Sequence, residues 1–205
     1  MELFELLAKG GLAMIPIGLA SVVSVMIALE RFCFYRGQEA RSADFGSAVH
    51  AALADGDDER AAEICRTSGG AAGEVLIAAL AERAHVNVRQ EEVVQAAAKK
   101  KALELRRYLE YLSVIVTMAP LLGLLGTVIG MISSFSVLSV AEGEPFAITG
   151  GVGEALVATA SGLLVAILAL SFHAYLSHRA NAMIADVEYV ATMYLAHVGG
   201  ERREA

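Results

Sequence analysis

Two threonines and one glutamate stand in parts of the sequence that are otherwise free of charge, and their side chains could take part in ion passage. Thr127 lies in a run, residues 111–141, that contains no charged residue. Glu154 is followed by a second run, which includes Thr159 and stays uncharged until Arg179. An ionisable group at membrane depth is costly and usually marks function. Glu154 therefore has two open interpretations, an anchor at the membrane interface or a member of an ion pathway.

The two threonine hydroxyls also allow two interpretations. A hydroxyl in a helix can bond to a carbonyl oxygen one turn back, and it then serves only its own helix. The alternative is a shared hydrophilic lining that hydrates or coordinates a moving ion. This alternative arises because Thr127 and Thr159 lie on adjoining hydrophobic segments and each belongs to a stripe of small residues.

Small residues recur at spacings of three and four on both segments, which is typical of helices that pack closely in a membrane. The first segment has Gly123, Gly126, Thr127, Gly130 and Ser134, and the second has Gly151, Ala155, Ala158, Thr159, Gly162, Ala166 and Ala169. We expect four glycines to serve helix packing: Gly123, Gly126, Gly130 and Gly162. Pro120 is expected to kink its helix, because a proline inside a helix forfeits a backbone hydrogen bond.

No Asp or Glu lies deep in any hydrophobic segment, although a proton relay across a bilayer normally needs a titratable group near the midplane. His173, near one end of its segment, fits a packed or interfacial histidine better than a relay. If the chain conducts protons, another subunit should supply the acid. The sequence has no phosphate-binding loop, HExxH motif or serine-nucleophile elbow, which disfavours an ATP-driven pump or a membrane enzyme. We expect neither a cofactor nor a metal.

Three long apolar windows predict an all-α membrane protein with three transmembrane helices and long cytoplasmic helical extensions. The chain has 205 residues, of which 56% are hydrophobic, and the windows cover about residues 11–28, 112–138 and 152–176. A spanning helix needs roughly 20 such residues. Lys and Arg cluster after the first window, before the second and after the third, whereas the connection between the second and third has none. This bias places the N-terminus outside and the C-terminus in the cytoplasm.

The expected organisation has six segments. They are an N-terminal interfacial segment with the first span (1–33), a cytoplasmic helical region (34–108), the second span (109–140), a periplasmic loop (141–150), the third span (151–177) and a cytoplasmic C-terminal helix (178–205). A short interfacial helix before the first span is expected to contain Leu3, Phe4, Leu6 and Leu7.

Turn residues at 54–57 and 68–70 divide the cytoplasmic region into helices. No Gly or Pro lies between Val88 and Pro120, so one helix is expected from about Val88 to Leu138. In the C-terminal segment, the glycine pair at 199–200 is expected to end the helix. Apolar residues recur there at helical spacing and predict a buried face formed by Ile184, Val187, Ala191, Tyr194 and Val198.

Two stretches of the sequence resemble the motifs of a known family. The stretch from Ala119 to Met131, APLLGLLGTVIGM, is similar to the second-span motif of the ExbB/TolQ/MotA family, whose members are proton-channel subunits of bacterial inner-membrane energy transducers. The stretch from Gly153 to Leu163, GEALVATASGL, resembles the third-span motif. The resemblance covers about residues 11–176, including the large loop after the first span.

The resemblance implies an assembly and a mechanism. Family members form a pentamer whose second and third spans line a pore, and a dimer of single-span partner helices of the ExbD, TolR or MotB type sits in that pore. An intramembrane Asp of the partner takes and gives the proton. Thr127 and Thr159 match the pore-lining threonines of the family, and Glu154 matches the third-span glutamate of the ExbB and TolQ branches. Proton-motive force would drive rotation of pentamer against dimer, and the work would pass to TonB, TolA or cell-wall anchors.

Within the family, Glu154 and the short length favour the ExbB/TolQ branch over flagellar MotA. ExbB, the biopolymer-transport subunit of the TonB system, is the first choice in that branch, because short three-span chains are common among its members. The alternatives are a TolQ-type envelope-integrity subunit, a MotA-type flagellar stator subunit and a structural membrane scaffold without ion conduction. One position departs from the ExbB/TolQ branch, which often has a proline after Ala-Ile in the third span. This chain has Leu168 there, which removes the basis for a kink at that point.

Overall fold

A computed structural model describes residues 11–39, 44–83, 90–140 and 145–204, and the regular structure in these ranges is α-helical. In chain order the helices are α1 (Met14–Gln38), α2 (Phe45–Ala54), α3 (Asp58–Ser68), α4 (Gly70–Arg83), α5 (Gln90–Arg106), α6 (Leu109–Val140) and α7 (Pro145–Glu204). The predicted all-α fold class is confirmed. The interfacial helix predicted from Leu3, Phe4, Leu6 and Leu7 lies outside the described residues.

Three helical stretches are long and apolar enough to cross a membrane, namely Met14–Gln38, Gln90–Ser136 and Thr149–Gly199. Their number agrees with the three windows of the sequence. Many of their large apolar side chains point away from the rest of the chain; Leu121, Leu164 and Ile167 are 63%, 63% and 62% exposed. Contiguous apolar surface of this kind would be unfavourable in water and suits contact with lipid or with neighbouring helices.

The described residues form two compact units. The membrane unit contains those up to Glu30 and those from Tyr108 to Tyr175, and the second unit contains those from Arg31 to Arg107 and from Leu176 onward. In the membrane unit, α1, α6 and α7 enclose a small apolar core formed by Met14, Ile17, Ile115, Ala119, Val165, Ala166 and Ala169. This core holds together the helices that carry the polar residues of interest.

The second unit is a helical bundle whose short helices end at the turns that the sequence predicts. Gly56 has φ +71°, which glycine adopts readily. Asp57 then caps α3 by accepting the amide of Arg60 at 2.9 Å. The predicted apolar face of the C-terminal helix is confirmed, because its members are buried: Ile184, Val187, Ala191, Tyr194 and Val198.

The continuous helix that the sequence predicts from about Val88 to Leu138 is wrong, because a break separates α5 from α6. Tyr108 lies in this break and has φ +68°, in the left-handed region that bulky residues seldom adopt. The amide of Arg107 donates to the carbonyl oxygen of Glu104 at 3.3 Å, a three-residue spacing that closes the end of α5. No glycine or proline marks the position, so the sequence lacks the usual signal of a helix end.

Side chains of α1 give the physical reason for this helix end. Arg31 Nη1 donates to the carbonyl oxygen of Glu104 at 3.1 Å, and Tyr35 Oη donates to that of Leu105 at 2.7 Å. In a continuous helix these two carbonyls would accept the backbone amides four residues further on. Arg31 and Tyr35 are both buried, at 3% and 2% exposure. Within the second unit, α1 therefore supplies the C-terminal cap of α5.

The last helix exceeds its expected limits at both ends. It begins at Pro145, so residues 145–150 of the expected loop are helical. Proline is favoured in the first turn of a helix, because its missing amide would have no partner inside the helix there. The helix also continues to Glu204, so the predicted stop at Gly199-Gly200 is wrong. A glycine inside a helix costs only about 1 kcal/mol relative to alanine, and the Glu and Arg residues at 201–204 are good helix formers.

Candidate ion-pathway site

α6 and α7 approach each other along a line of small residues, here called the glycine seam, which consists of Gly123, Gly126, Gly130, Gly151, Ala155, Ala158 and Gly162. A methyl group built on Gly162 would lie 2.6 Å from the carbonyl oxygen of Ala119 and 3.0 Å from Cα of Gly123. One built on Gly123 would lie 3.1 Å from Cα of Thr159. Contacts this short with backbone atoms mean that an alanine at either position would push the two helices apart.

The other two glycines expected in helix packing meet alanine methyl groups. A methyl group on Gly126 would lie 2.6 Å from Cβ of Ala158 and 3.0 Å from Cβ of Ala13, which directly precedes α1. One on Gly130 would lie 3.0 Å from Cβ of Ala155. Gly126 is thus the point where segments from all three spans of the membrane unit meet.

The hydroxyl of Thr159 bonds across the seam. Its Oγ1 donates to the carbonyl oxygen of Gly123 at 3.1 Å, and the side chain is half-buried. The interpretation that confines the hydroxyl to its own helix therefore does not describe Thr159. The same carbonyl is the one that accepts the amide of Thr127 in a regular α-helix. The hydroxyl of Thr159 and the backbone amide of Thr127 thus share one carbonyl, that of Gly123, here called the threonine junction.

The hydroxyl of Thr127 bonds within its own helix, donating to the carbonyl oxygen of Leu124 at 2.6 Å. The side chain is half-buried. A hydroxyl that donates its proton still has two lone pairs, so it can accept a hydrogen bond from water or coordinate a cation. Bonding to the helix backbone therefore orients the Thr127 oxygen and leaves its acceptor capacity available.

Glu154 lies against the backbone of Gly11, just before the start of α1. Its Oε1 occupies the space that a Cβ of Gly11 would need, and its Cδ is 2.6 Å from that position. The side chain is half-buried, one helical turn before Ala158. Sequence reasoning missed Gly11 as a neighbour of this carboxylate. The signal was the glycine pair at 10–11, where the first apolar window begins, because such a pair can mark a close backbone approach or a left-handed turn.

The structure places the remaining expected residues on the same two helices. Pro120 is half-buried inside α6, which continues as a helix on both sides of it. His173 is half-buried in α7. Within the sequence windows 11–28, 112–138 and 152–176, Glu154 is the sole Asp or Glu. Within these windows, the membrane unit thus offers two oriented threonine hydroxyls and the carboxylate of Glu154, which lies near the start of α1.

Similarity to known proteins includes the segments that form the glycine seam. Residues 69–189 match the model of the MotA/TolQ/ExbB proton channel family. A putative biopolymer transport protein, ExbB-like 1, of Synechocystis is 35% identical over 174 residues, which cover 82% of this chain and 68% of that protein. The biopolymer transport protein exbB1 of Vibrio cholerae is 39% identical over 83 residues, 40% of this chain and 36% of that protein. The Tol-Pal system protein TolQ of Haemophilus influenzae is 39% identical over 77 residues, 37% of this chain and 34% of that protein.

The family match covers both the glycine seam and the threonines, and the similarity to the Synechocystis protein extends over most of the chain. The helical fold with three stretches able to span a membrane agrees with a multi-pass membrane protein. The family is one of proton channels and not one of enzymes. The chain belongs to the MotA/TolQ/ExbB proton channel family, and within it is most like ExbB.

Proposed function

We propose that this chain is a proton-channel and stator subunit, which works with a single-span ExbD/TolR-type partner to convert proton-motive force into mechanical work. The observation that carries the proposal is the junction at the Gly123 carbonyl, where Thr159 bonds across the seam and Thr127 follows one turn later. Both hydroxyls lie in spans that contain no deep carboxylate. Hydroxyl groups can orient water along a pathway, but they do not carry a proton themselves near neutral pH. The proton-carrying Asp therefore comes from the partner.

In this proposal the three ion-pathway residues, Thr127, Thr159 and Glu154, have different roles. Thr127 and Thr159 line the pathway and orient water or the partner's carboxylic acid. Glu154, at the N-terminal end of the third span, exchanges protons at the mouth of the pathway. Its place near the end of the expected third span supports this role, because a carboxylate close to the membrane interface can exchange protons with water.

The proposed assembly is a homopentamer around a dimer of the partner, as the family resemblance implies. The large apolar surface of the membrane unit supports an oligomer, since three spans leave much of each helix uncovered within one chain. A neighbouring subunit could also pack closely against the small residues beside the glycine seam, as small residues allow between membrane helices. The family resemblance implies a location in the bacterial inner membrane, and the charge bias supports a periplasmic N-terminus and a cytoplasmic C-terminus there.

Transfer of work to a TonB-like protein, and so to transport across the outer membrane, is the proposed biological role. The names of the Synechocystis and Vibrio cholerae relatives, both biopolymer transport proteins, support it. The similarity to the Tol-Pal system protein TolQ supports a role in envelope integrity as the alternative. A MotA-type flagellar stator would differ in its partner and its anchor more than in its span chemistry. A scaffold without conduction is the other alternative, which the close packing of the glycine seam favours.

The test is proton flux into liposomes that contain a pH-sensitive dye and the full-length chain, with and without its co-purified single-span partner. We expect flux only when both proteins are present, because the chain has no deep acid. Glu154→Ala should reduce this flux while the complex still assembles. Robust flux through the chain alone would contradict the proposed division of labour. A partner complex that assembles but never conducts would favour the scaffold.

A further inference from the structure

The carboxylate of Glu154 and the backbone of Gly11 occupy one shared space in the membrane unit. A Cβ built on Gly11 would lie 2.6 Å from Cδ and 3.2 Å from Cγ of Glu154, and it would overlap Oε1. Any side chain at position 11 would therefore have to displace the carboxylate. Position 11 thus controls where the end of the Glu154 side chain can lie.

Gly11 cannot easily move away from this contact. Its φ of +66° is in the left-handed region, and its carbonyl oxygen accepts the amide of Met14 at 3.1 Å at the start of α1. The segment is also fixed two residues further on, where Ala13 is 8% exposed and lies beside Gly126, which in turn packs against Ala158. Ala158 lies one helical turn from Glu154, so the same face of α7 holds both contacts. The beginning of α1 is therefore a fixed surface against which the carboxylate rests.

We propose that Gly11 is a positioning residue, whose bare backbone sets the location of the Glu154 carboxylate and thereby the rate of proton flux. This inference rests on the proposed function, which assigns Glu154 to the ion pathway. Gly11 itself carries no proton, and the three atoms nearest to a Cβ built on it all belong to Glu154. Its effect on flux acts through Glu154 alone.

The experiment is a double-mutant cycle on the full-length chain with its partner in dye-loaded liposomes. A misplacement of about 1 Å can cost a reacting group about a hundredfold in rate, so we expect Gly11→Ala to lower flux by about ten- to a hundredfold. Gly11→Asn should lower it as well, because Asn tolerates a left-handed backbone but still has a Cβ. Gly56→Ala is the matched control, since Gly56 also has a left-handed backbone, with φ +71°, and a Cβ there meets no atom within 4 Å.

The decisive comparison uses Glu154→Asp, which shortens the side chain by one methylene and so moves the carboxyl carbon to the position of the glutamate Cγ, 3.2 Å instead of 2.6 Å from a Cβ at Gly11. In this background Gly11→Ala should cost less than about twofold in flux, well below its cost beside Glu154. Gly11→Ala should likewise lower the melting temperature of the purified protein less in the Glu154→Asp background than in the wild type.

Three results would overturn the inference. One is an equal loss of flux from Gly11→Ala in the wild-type and Glu154→Asp backgrounds, or a failure of the complex to assemble in both. Either result would mean that Gly11 is needed for its left-handed backbone and not for the position of the carboxylate. Another is normal flux in Gly11→Ala and Gly11→Asn. The third is normal flux in Glu154→Ala. This result would show that conduction with the partner does not need the carboxylate of Glu154. Wild-type vesicles that do not conduct even with the partner would instead overturn the proposed function itself.

Discussion

The hydroxyl of Thr159 on the third span donates a hydrogen bond to the carbonyl oxygen of Gly123 on the second, at 3.1 Å. This bond is possible because the helices touch at Gly123, where a methyl group would meet Cα of Thr159 at 3.1 Å. Close packing and hydroxyl placement are therefore one structural feature. A substitution can separate them, because the hydroxyl can be removed without changing the shape of the side chain.

Thr159→Val keeps the branched shape and removes the hydroxyl. We expect partner-dependent proton flux to fall by about tenfold, equivalent to about 1.4 kcal/mol in the barrier. The loss of stability should be small, about 0.6 kcal/mol, as for other hydrogen bonds between membrane helices. Thr159→Ser, which retains the hydroxyl, should conduct nearly as well as wild type. Normal flux in Thr159→Val would remove this residue from the ion pathway.

Thr127→Val should lower flux with no measurable change in thermal stability. Its hydroxyl donates only to the Leu124 carbonyl of its own helix, and such bonds add little to helix stability. The matched control is Thr117→Val, which also removes a hydroxyl that bonds three residues back, to Val114. Flux and melting temperature, measured on one preparation of each variant, distinguish a role in conduction from a role in packing. If Thr127→Val loses stability and flux in proportion, the residue has a packing role.

Gly162→Ala tests the seam itself. The added methyl group would lie 2.6 Å from the carbonyl oxygen of Ala119, so we expect a destabilisation of about 1–3 kcal/mol and fewer assembled complexes. Gly153→Ala on the same helix is the control, since its methyl group would meet no atom within 4 Å. Size-exclusion chromatography and thermal unfolding in detergent report both effects. Equal behaviour of the two variants would contradict the described packing of α6 against α7.

Tyr35→Phe tests the cap on α5. The change leaves the ring in place and removes the donor to the Leu105 carbonyl, which should cost about 1–3 kcal/mol because the site is buried. Amide hydrogen exchange should rise in the last turn of α5. Tyr189→Phe is the control, because Tyr189 is 63% exposed. Unchanged exchange in Tyr35→Phe would show that Arg31 alone holds the helix end.

The two cysteines should differ in reactivity toward maleimide. Burial raises the pKa of the Cys65 thiol to about 11, so at pH 7 only about one thiol in ten thousand is the reactive thiolate. Cys33 is exposed and should be labelled first. Mass spectrometry of the labelled protein, with and without denaturant, reads each site separately. Cys65 labelling as fast as Cys33 without denaturant, below pH 9, would contradict the packing of α3.

Sequence periodicity was sufficient for the spans and for the buried face around Tyr194, because helical spacing translates directly into one side of a helix. It was insufficient at Tyr108, where the helix break depends on Arg31 and Tyr35 from a distant part of the chain. The contact between Gly11 and Glu154 likewise joins residues that are far apart in the sequence. Such features arise from tertiary contacts, and no local pattern of residue types encodes them.

The glycine seam also has a thermodynamic consequence. Glycine and alanine have no side-chain rotamers to lose, so joining α6 to α7 along this line costs almost no side-chain entropy. A contact made of backbone atoms and methyl groups also has no alternative rotamers through which it could repack. The two spans should therefore behave as one stiff body. Movement during a transport cycle would then occur at the outer surfaces of the pair, with the threonine junction carried along unchanged.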